Sequence, residues 1–182
     1  MAGMVSAPVA PFSHAAEVAA LVESLAQRLL AQGWMLATAE SCTGGMIAAA
    51  CTELAGSSNW FERGFVTYSN AAKAQMLGVD AALIDQHGAV SAPVARAMAQ
   101  GALQHASAMV ALAVTGVAGP GGGSAEKPVG TVWFAWTTPG GLHSEVHHFA
   151  GDRAAVRQAT VRHSLRGLLA LLPTLPAGAR AP

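Results

Sequence analysis

Residues 109–116, Met-Val-Ala-Leu-Ala-Val-Thr-Gly, form an apolar run without alternation that ends on a glycine. A strand with one face in water alternates apolar and polar residues, whereas a short continuous run is the pattern of a strand covered on both faces. Covering both faces takes helices above and below one sheet. The rest of the chain supplies them. Residues 14–33 carry apolar side chains at Val18, Leu21, Leu25, Leu29 and Leu30, which is helical spacing, and close on Gly33. Trp34 to Glu40 reads as a strand, Thr43 to Leu54 as a helix, 60–70 as a strand and 71–78 as a short helix ended by Gly78. A further helix begins near Ser91, with Pro93 in its first turn, where a missing N–H costs nothing. After the buried run come a glycine-rich loop and two strands joined by Pro-Gly-Gly; residues 152–172 form a last amphipathic helix. Helices alternating with strands, then a hairpin, predict an α/β fold: a single three-layer α/β/α domain with a mixed central sheet over 14–172. Residues 1–13 read as a loose leader and 173–182 as a flexible tail.

Charged residues make up only 11% of the chain, against about 25% in an ordinary soluble domain. The apolar excess is mostly alanine and valine, and no uninterrupted apolar run approaches the roughly 20 residues a spanning helix needs. No membrane association is expected. The first residues lack a basic segment followed by an apolar one, so no signal peptide is read and a cytoplasmic location follows. Ten basic and ten acidic residues cancel, without a basic cluster, which argues against nucleic acid as a partner. So little surface charge beside so much apolar residue points to a homo-oligomer.

The stretch Thr-Ala-Glu-Ser-Cys-Thr-Gly-Gly, 38–45, places Ser41 and Cys42 where a strand becomes a helix. A helix N-terminus offers unpaired N–H groups and a positive dipole end, and Gly44 and Gly45 allow close approach by a ligand. Ser41 there is either a nucleophile or a helix cap. Cys42 is a second candidate nucleophile, since a helix N-terminus lowers a thiol pKa. Cys42 and Cys51 fit no zinc spacing and, on one helix, would stand about 13 Å apart, too far for a disulfide. Both read as buried reduced thiols.

A serine nucleophile needs a base. The seven histidines show no partner pattern: His147 and His148 point to opposite faces of a strand, and His143 lies about 13 Å from His147 on one face. No metal site is expected. Lysine is scarce, at Lys73 and Lys127 only. Lys73 follows a strand end and can serve as base if burial or a nearby cation, from Arg153 or Arg63, brings its pKa down; otherwise it is a solvated surface residue. Tyr68, the single tyrosine, is a proton relay between Lys73 and Ser41, a donor to the leaving group, or an edge residue of the core. The loop 115–130 leaves the C-terminal end of the buried strand, where α/β sheets place ligands, and its backbone N–H groups can cradle an anion. Arg153 stands in the first turn of the last helix, against the dipole, which suggests phosphate recognition or an ion pair with Glu145.

Taken in order, "TAESCTGG", "GFVTYSNAAKAQMLGV", "HGAVS", "TGVAGPGGGSAEKPVGTVWFAW" and "GDRAAVRQAT" resemble the CinA C-terminal domain family over roughly residues 14–172. The resemblance implies hydrolysis of nicotinamide mononucleotide to nicotinic acid mononucleotide and ammonia, in pyridine nucleotide salvage. It also implies a metal-free, cofactor-free Ser/Lys mechanism and a homodimer. The family's serine falls on Ser41, its lysine on Lys73 and its tyrosine on Tyr68. Around them, Cys42, Thr43, Gly44, Gly45, Asn70, Thr115, Gly116, Gly119 and Arg153 are the expected substrate-binding residues. Glu40 is expected either to face the pyridinium charge or to orient Lys73. Many members carry a further N-terminal domain, whose activity is not expected of this chain. A nucleotide-binding module of the same fold, without turnover, is the alternative.

Overall fold

The computed structural model describes residues 14–174. The leader 1–13 and most of the tail lie outside the described residues. In chain order the elements are α1 (His14–Gln32), β1 (Leu36–Glu40), α2 (Met46–Glu53), β2 (Phe61–Val66), α3 (Asn70–Leu77), α4 (Ala81–His87), α5 (Ala92–Gln104), β3 (Val110–Gly116), β4 (Thr131–Thr138), β5 (Gly141–His148) and α6 (Arg153–Leu171). One five-stranded sheet runs β2-β1-β3-β4-β5. The first three of these are parallel, and β4 and β5 join antiparallel as a hairpin. The fold is the mixed-sheet α/β/α sandwich expected.

The apolar run is β3, buried over its first six residues. Its alternate side chains enter two different cores. Val110, Leu112 and Val114 join Leu36, Val132, Phe134 and Trp136 under α1, α2 and α6. Ala111 and Ala113 join Ala37, Ala39 and Ala135 under α3, α4 and α5. The second face is lined by alanine, so α5 settles close to the sheet. Two glycines permit close contacts, one within a helical layer and one between helix and sheet. A Cβ on Gly101 of α5 would stand 2.0 Å from the Leu77 carbonyl of α3, and one on Gly167 of α6 would stand 2.3 Å from the Trp136 ring. The Trp136 indole also donates to the Ser164 carbonyl at 2.9 Å. Arg28 of α1 donates to the Leu169 and Leu172 carbonyls, satisfying the C-terminal end of α6 with a cation.

Three elements differ from expectation: β2 ends at Val66 rather than at residue 70, where α3 already begins, and two helices change. Helix α4 is absent from the sequence reading; Asp80 caps it by accepting from the Ala82 N–H. Helix α2 starts at Met46 rather than Thr43, because residues 41–45 form a turn in which Gly44 and Gly45 take φ of 59° and 98°. Left-handed backbone here is open to glycine and strained for other residues.

Candidate active site

The turn hangs from the C-terminal end of β1, beside β3. Chain direction reverses across this point: β1 leads outward to β2, and β2 returns past β1 to β3. Crevices of this kind are where open α/β sheets hold ligands. Glu40, the last residue of β1, is buried, and its carboxylate turns into the α2 N-terminus. It accepts from the Thr43 hydroxyl at 2.7 Å and from the N–H groups of Gly45, Ile47 and Ala48 at 2.8–3.0 Å. Glu40 therefore supplies the helix cap, and its oxygens are spent inside the turn. It neither lines the cleft nor touches Lys73, so both expected roles give way to a positioning one. Ser41 is thereby released from capping. Its N–H donates to the Val114 carbonyl at 3.1 Å, which ties the turn to β3.

Lys73 enters from α3, whose Ser69 cap accepts from Ala72 N–H at 3.0 Å. Its side chain is 1% exposed. The amine nitrogen Nζ lies 3.1 Å from Ser41 Oγ and donates to the Thr67 carbonyl at 2.9 Å. Burial pushes its pKa down, and the neighbouring Cys42 offsets that effect only in part. The cation invoked from Arg63 or Arg153 is not the cause. Arg63 pairs with Glu62 and donates to the His105 carbonyl. Arg153 donates to the Gly119 carbonyl at 2.8 Å and to the Tyr68 hydroxyl at 2.6 Å. Desolvation alone favours the neutral amine.

A cleft of about 210 Å³ opens over this pair, lined by Ser41, Cys42, Tyr68, Asn70, Lys73, Ala89, Val90, Thr115, Gly116, Ala118 and Arg153. Two larger grooves on the α1/α6 side lack a serine–lysine pair. Tyr68 is 59% exposed and stands at the rim against Arg153. It bridges neither Lys73 nor Ser41, which already meet directly, so the relay is not built. Thr115 lines the wall, its hydroxyl donating to the Ala89 carbonyl at 2.8 Å. Gly119 meets the site through its carbonyl on Arg153 and is not among the lining residues.

A family model for the CinA C-terminal domain matches residues 18–172. The chain belongs to the CinA C-terminal domain family. It is 54% identical over 153 residues to the nicotinamide-nucleotide amidohydrolase PncC of Escherichia coli K12, covering 84% of this chain and 93% of that one. It is 52% identical to the protein of the same name from Pseudomonas putida, over 85% of this chain and 96% of that one. Among solved structures, the competence/damage inducible protein CihA of Agrobacterium tumefaciens superposes with a TM-score of 0.84 at 46% identity, covering 90% of this chain and 99% of that one.

Within this CinA domain, one arginine escaped the sequence reading. Arg157 donates to the Cys42 carbonyl at 3.1 Å and to the Thr43 carbonyl at 2.9 Å, pinning the turn to α6. Its signal was present: it sits four residues after Arg153, on the same helix face. A carbonyl held toward α6 turns the N–H of its own planar peptide unit the opposite way. That N–H is Thr43's, and it has no acceptor among the described residues. The Gly44 and Gly45 N–H groups, by contrast, are taken by Ser41 O and Glu40. Thr43, Gly44 and Gly45 do not line the cleft; they shape the turn. Cys42 lies at the cleft, yet burial raises its thiol pKa to about 11. A thiol in that range is a poor nucleophile at neutral pH.

Proposed function

We propose that this protein hydrolyses the carboxamide of nicotinamide mononucleotide, giving nicotinic acid mononucleotide and ammonia, with Ser41 as nucleophile and Lys73 as base. The observation that carries the reading is the buried Lys73 amine 3.1 Å from Ser41 Oγ. The names of the relatives support the substrate. Neutral Lys73 takes the Ser41 proton as Oγ bonds to the carboxamide carbon, which the pyridinium ring makes electron-poor. The Cys42 N–H, at the cleft, receives the oxyanion. Protonated Lys73 then gives its proton to the departing nitrogen, the C–N bond breaks, and ammonia leaves. Water attacks the resulting ester, Lys73 takes its proton, and the proton returns to Oγ as the acid departs. Arg153, steadied by Tyr68 and the Gly119 carbonyl, holds the phosphate.

Ammonia release from nicotinamide mononucleotide tests this. The parent and Cys42→Ala release it, and Ser41→Ala loses activity by about a thousandfold or more. A parent that binds the nucleotide and releases no ammonia would leave only the binding-module reading.

A further inference from the structure

A second cluster of chemically capable side chains lies outside the cleft. β5 is the edge strand of the sheet, and alternate residues along it face α6. Two of these, Glu145 and His147, meet His163 projecting from α6. Glu145 Oε1 stands 2.5 Å from His163 Nε2 and 3.6 Å from His147 Nε2. The two imidazole centroids are 3.9 Å apart. One donor atom from each residue lies within 4.8 Å of the other two. The neighbours on one side are aromatic: Phe134 lies 4.6 Å from the His163 ring, and Phe149 stacks on His147 at 5.7 Å.

We propose that Glu145, His147 and His163 form a site for a borderline divalent metal ion of the zinc class, bridging the edge strand to α6. Two imidazoles and a carboxylate are a common ligand set for such ions. Zinc–nitrogen and zinc–oxygen bonds near 2.0–2.2 Å put tetrahedral ligand atoms about 3.3 Å apart. The 3.6 Å pair already matches that spacing, and the others need only small side-chain rotations at a half-open surface. A simple hydrogen-bond cluster explains the arrangement less well. Glu145 serves His163, while the His147 ring is brought alongside at 3.6 Å and makes no hydrogen bond of its own among the described residues. A cation placed among the three would satisfy both rings and the carboxylate together. The aromatic flank holds the rings, and the solvent side leaves room for water as a fourth ligand. The amidase reading requires no metal, so the two sites stand or fall separately. His163 and Arg153 share α6, and a metal there would fasten the helix that carries the phosphate arginine.

The test uses the full chain, stripped with EDTA and titrated with zinc chloride by calorimetry near neutral pH. One zinc binds per chain, and a hundredfold excess over Kd raises Tm by about 5–10 °C. His163→Ala and Glu145→Gln each weaken binding about tenfold or more. Cobalt gives a second readout: its visible absorption reports imidazole coordination in the parent and vanishes in the His147→Ala/His163→Ala double variant, whatever that variant's stability. Absence of stoichiometric binding to the parent, or binding that the double variant retains, overturns the site.

Discussion

Replacing Lys73 with methionine should make stability depend on pH less than it does in the parent, and the size of the effect can be worked from one proton. In the folded chain Lys73 is buried and its pKa is pushed below the ordinary value of 10.5; in the unfolded chain it is solvated and titrates near that value. Between the lowered pKa and 10.5 the unfolded state binds a proton that the folded state has given up. Stability therefore rises with pH across that window and is flat on either side of it. The slope for one such group is at most about 1.4 kcal/mol per pH unit. For a domain of this size that is about 3–5 °C in Tm per pH unit. Methionine carries no proton, so the difference in Tm, parent minus Lys73→Met, should climb with pH through the window. Subtracting the variant cancels every other titrating group. The offset at any single pH also contains the two lost hydrogen bonds, to Ser41 Oγ and the Thr67 carbonyl; the slope does not. Thermal unfolding of both proteins from neutral pH to pH 10 reads it. A difference that stays flat across that range means Lys73 titrates like a solvated lysine, and the neutral-base argument fails with it.

Two further outcomes follow from the same site. Glu40→Gln keeps the shape but offers one acceptor oxygen where the carboxylate offers two, turning an NH₂ group toward a backbone N–H. With charge-assisted bonds worth about 1.5–3 kcal/mol each, the loss should be roughly 2–4 kcal/mol, or about 5–15 °C in Tm, with activity falling as the turn loosens; an unchanged Tm would show that Glu40 does not cap α2. Arg153→Met removes the proposed phosphate partner and leaves the Ser41–Lys73 pair intact. KM for nicotinamide mononucleotide should rise about 10–100-fold with kcat little changed, and a fall confined to kcat would move Arg153 from binding to chemistry.

The sheet was legible because its strands carry a two-sided signal. β3 is apolar without alternation, and β4 and β5 are bracketed by turn residues, so their existence and place along the chain needed no tertiary information; their order in the sheet did. Helix α4 was missed for the opposite reason. Its seven residues give too few turns for periodicity, and only the Asp80 cap marks its start. The site was legible in its parts and not in its assignments, and the difference is one of accounting for polar groups. In the octet 38–45, Ser41 as cap and Ser41 as nucleophile are equally good local readings. What separates them is that Glu40, one residue earlier, takes the α2 N–H groups for itself. Lys73 poses the same problem: on a short helix it reads as solvated. It is buried because the Ser69 cap fixes where α3 begins, and because Gly101 lets α5 close against Leu77 beside it. Tyr68 sits at the rim on Arg153 rather than between Ser41 and Lys73, a position set by the last helix and not by its own motif. Arg157 was overlooked because its partners are carbonyls 114 and 115 residues away. His163 likewise lies on α6, so no spacing along β5 marks it as a neighbour of His147. In each case the residue type announced a capability, and the partner that uses or frees it came from another element of the fold. The proposed role of Ser41 requires that something else cap α2, and Glu40 does so.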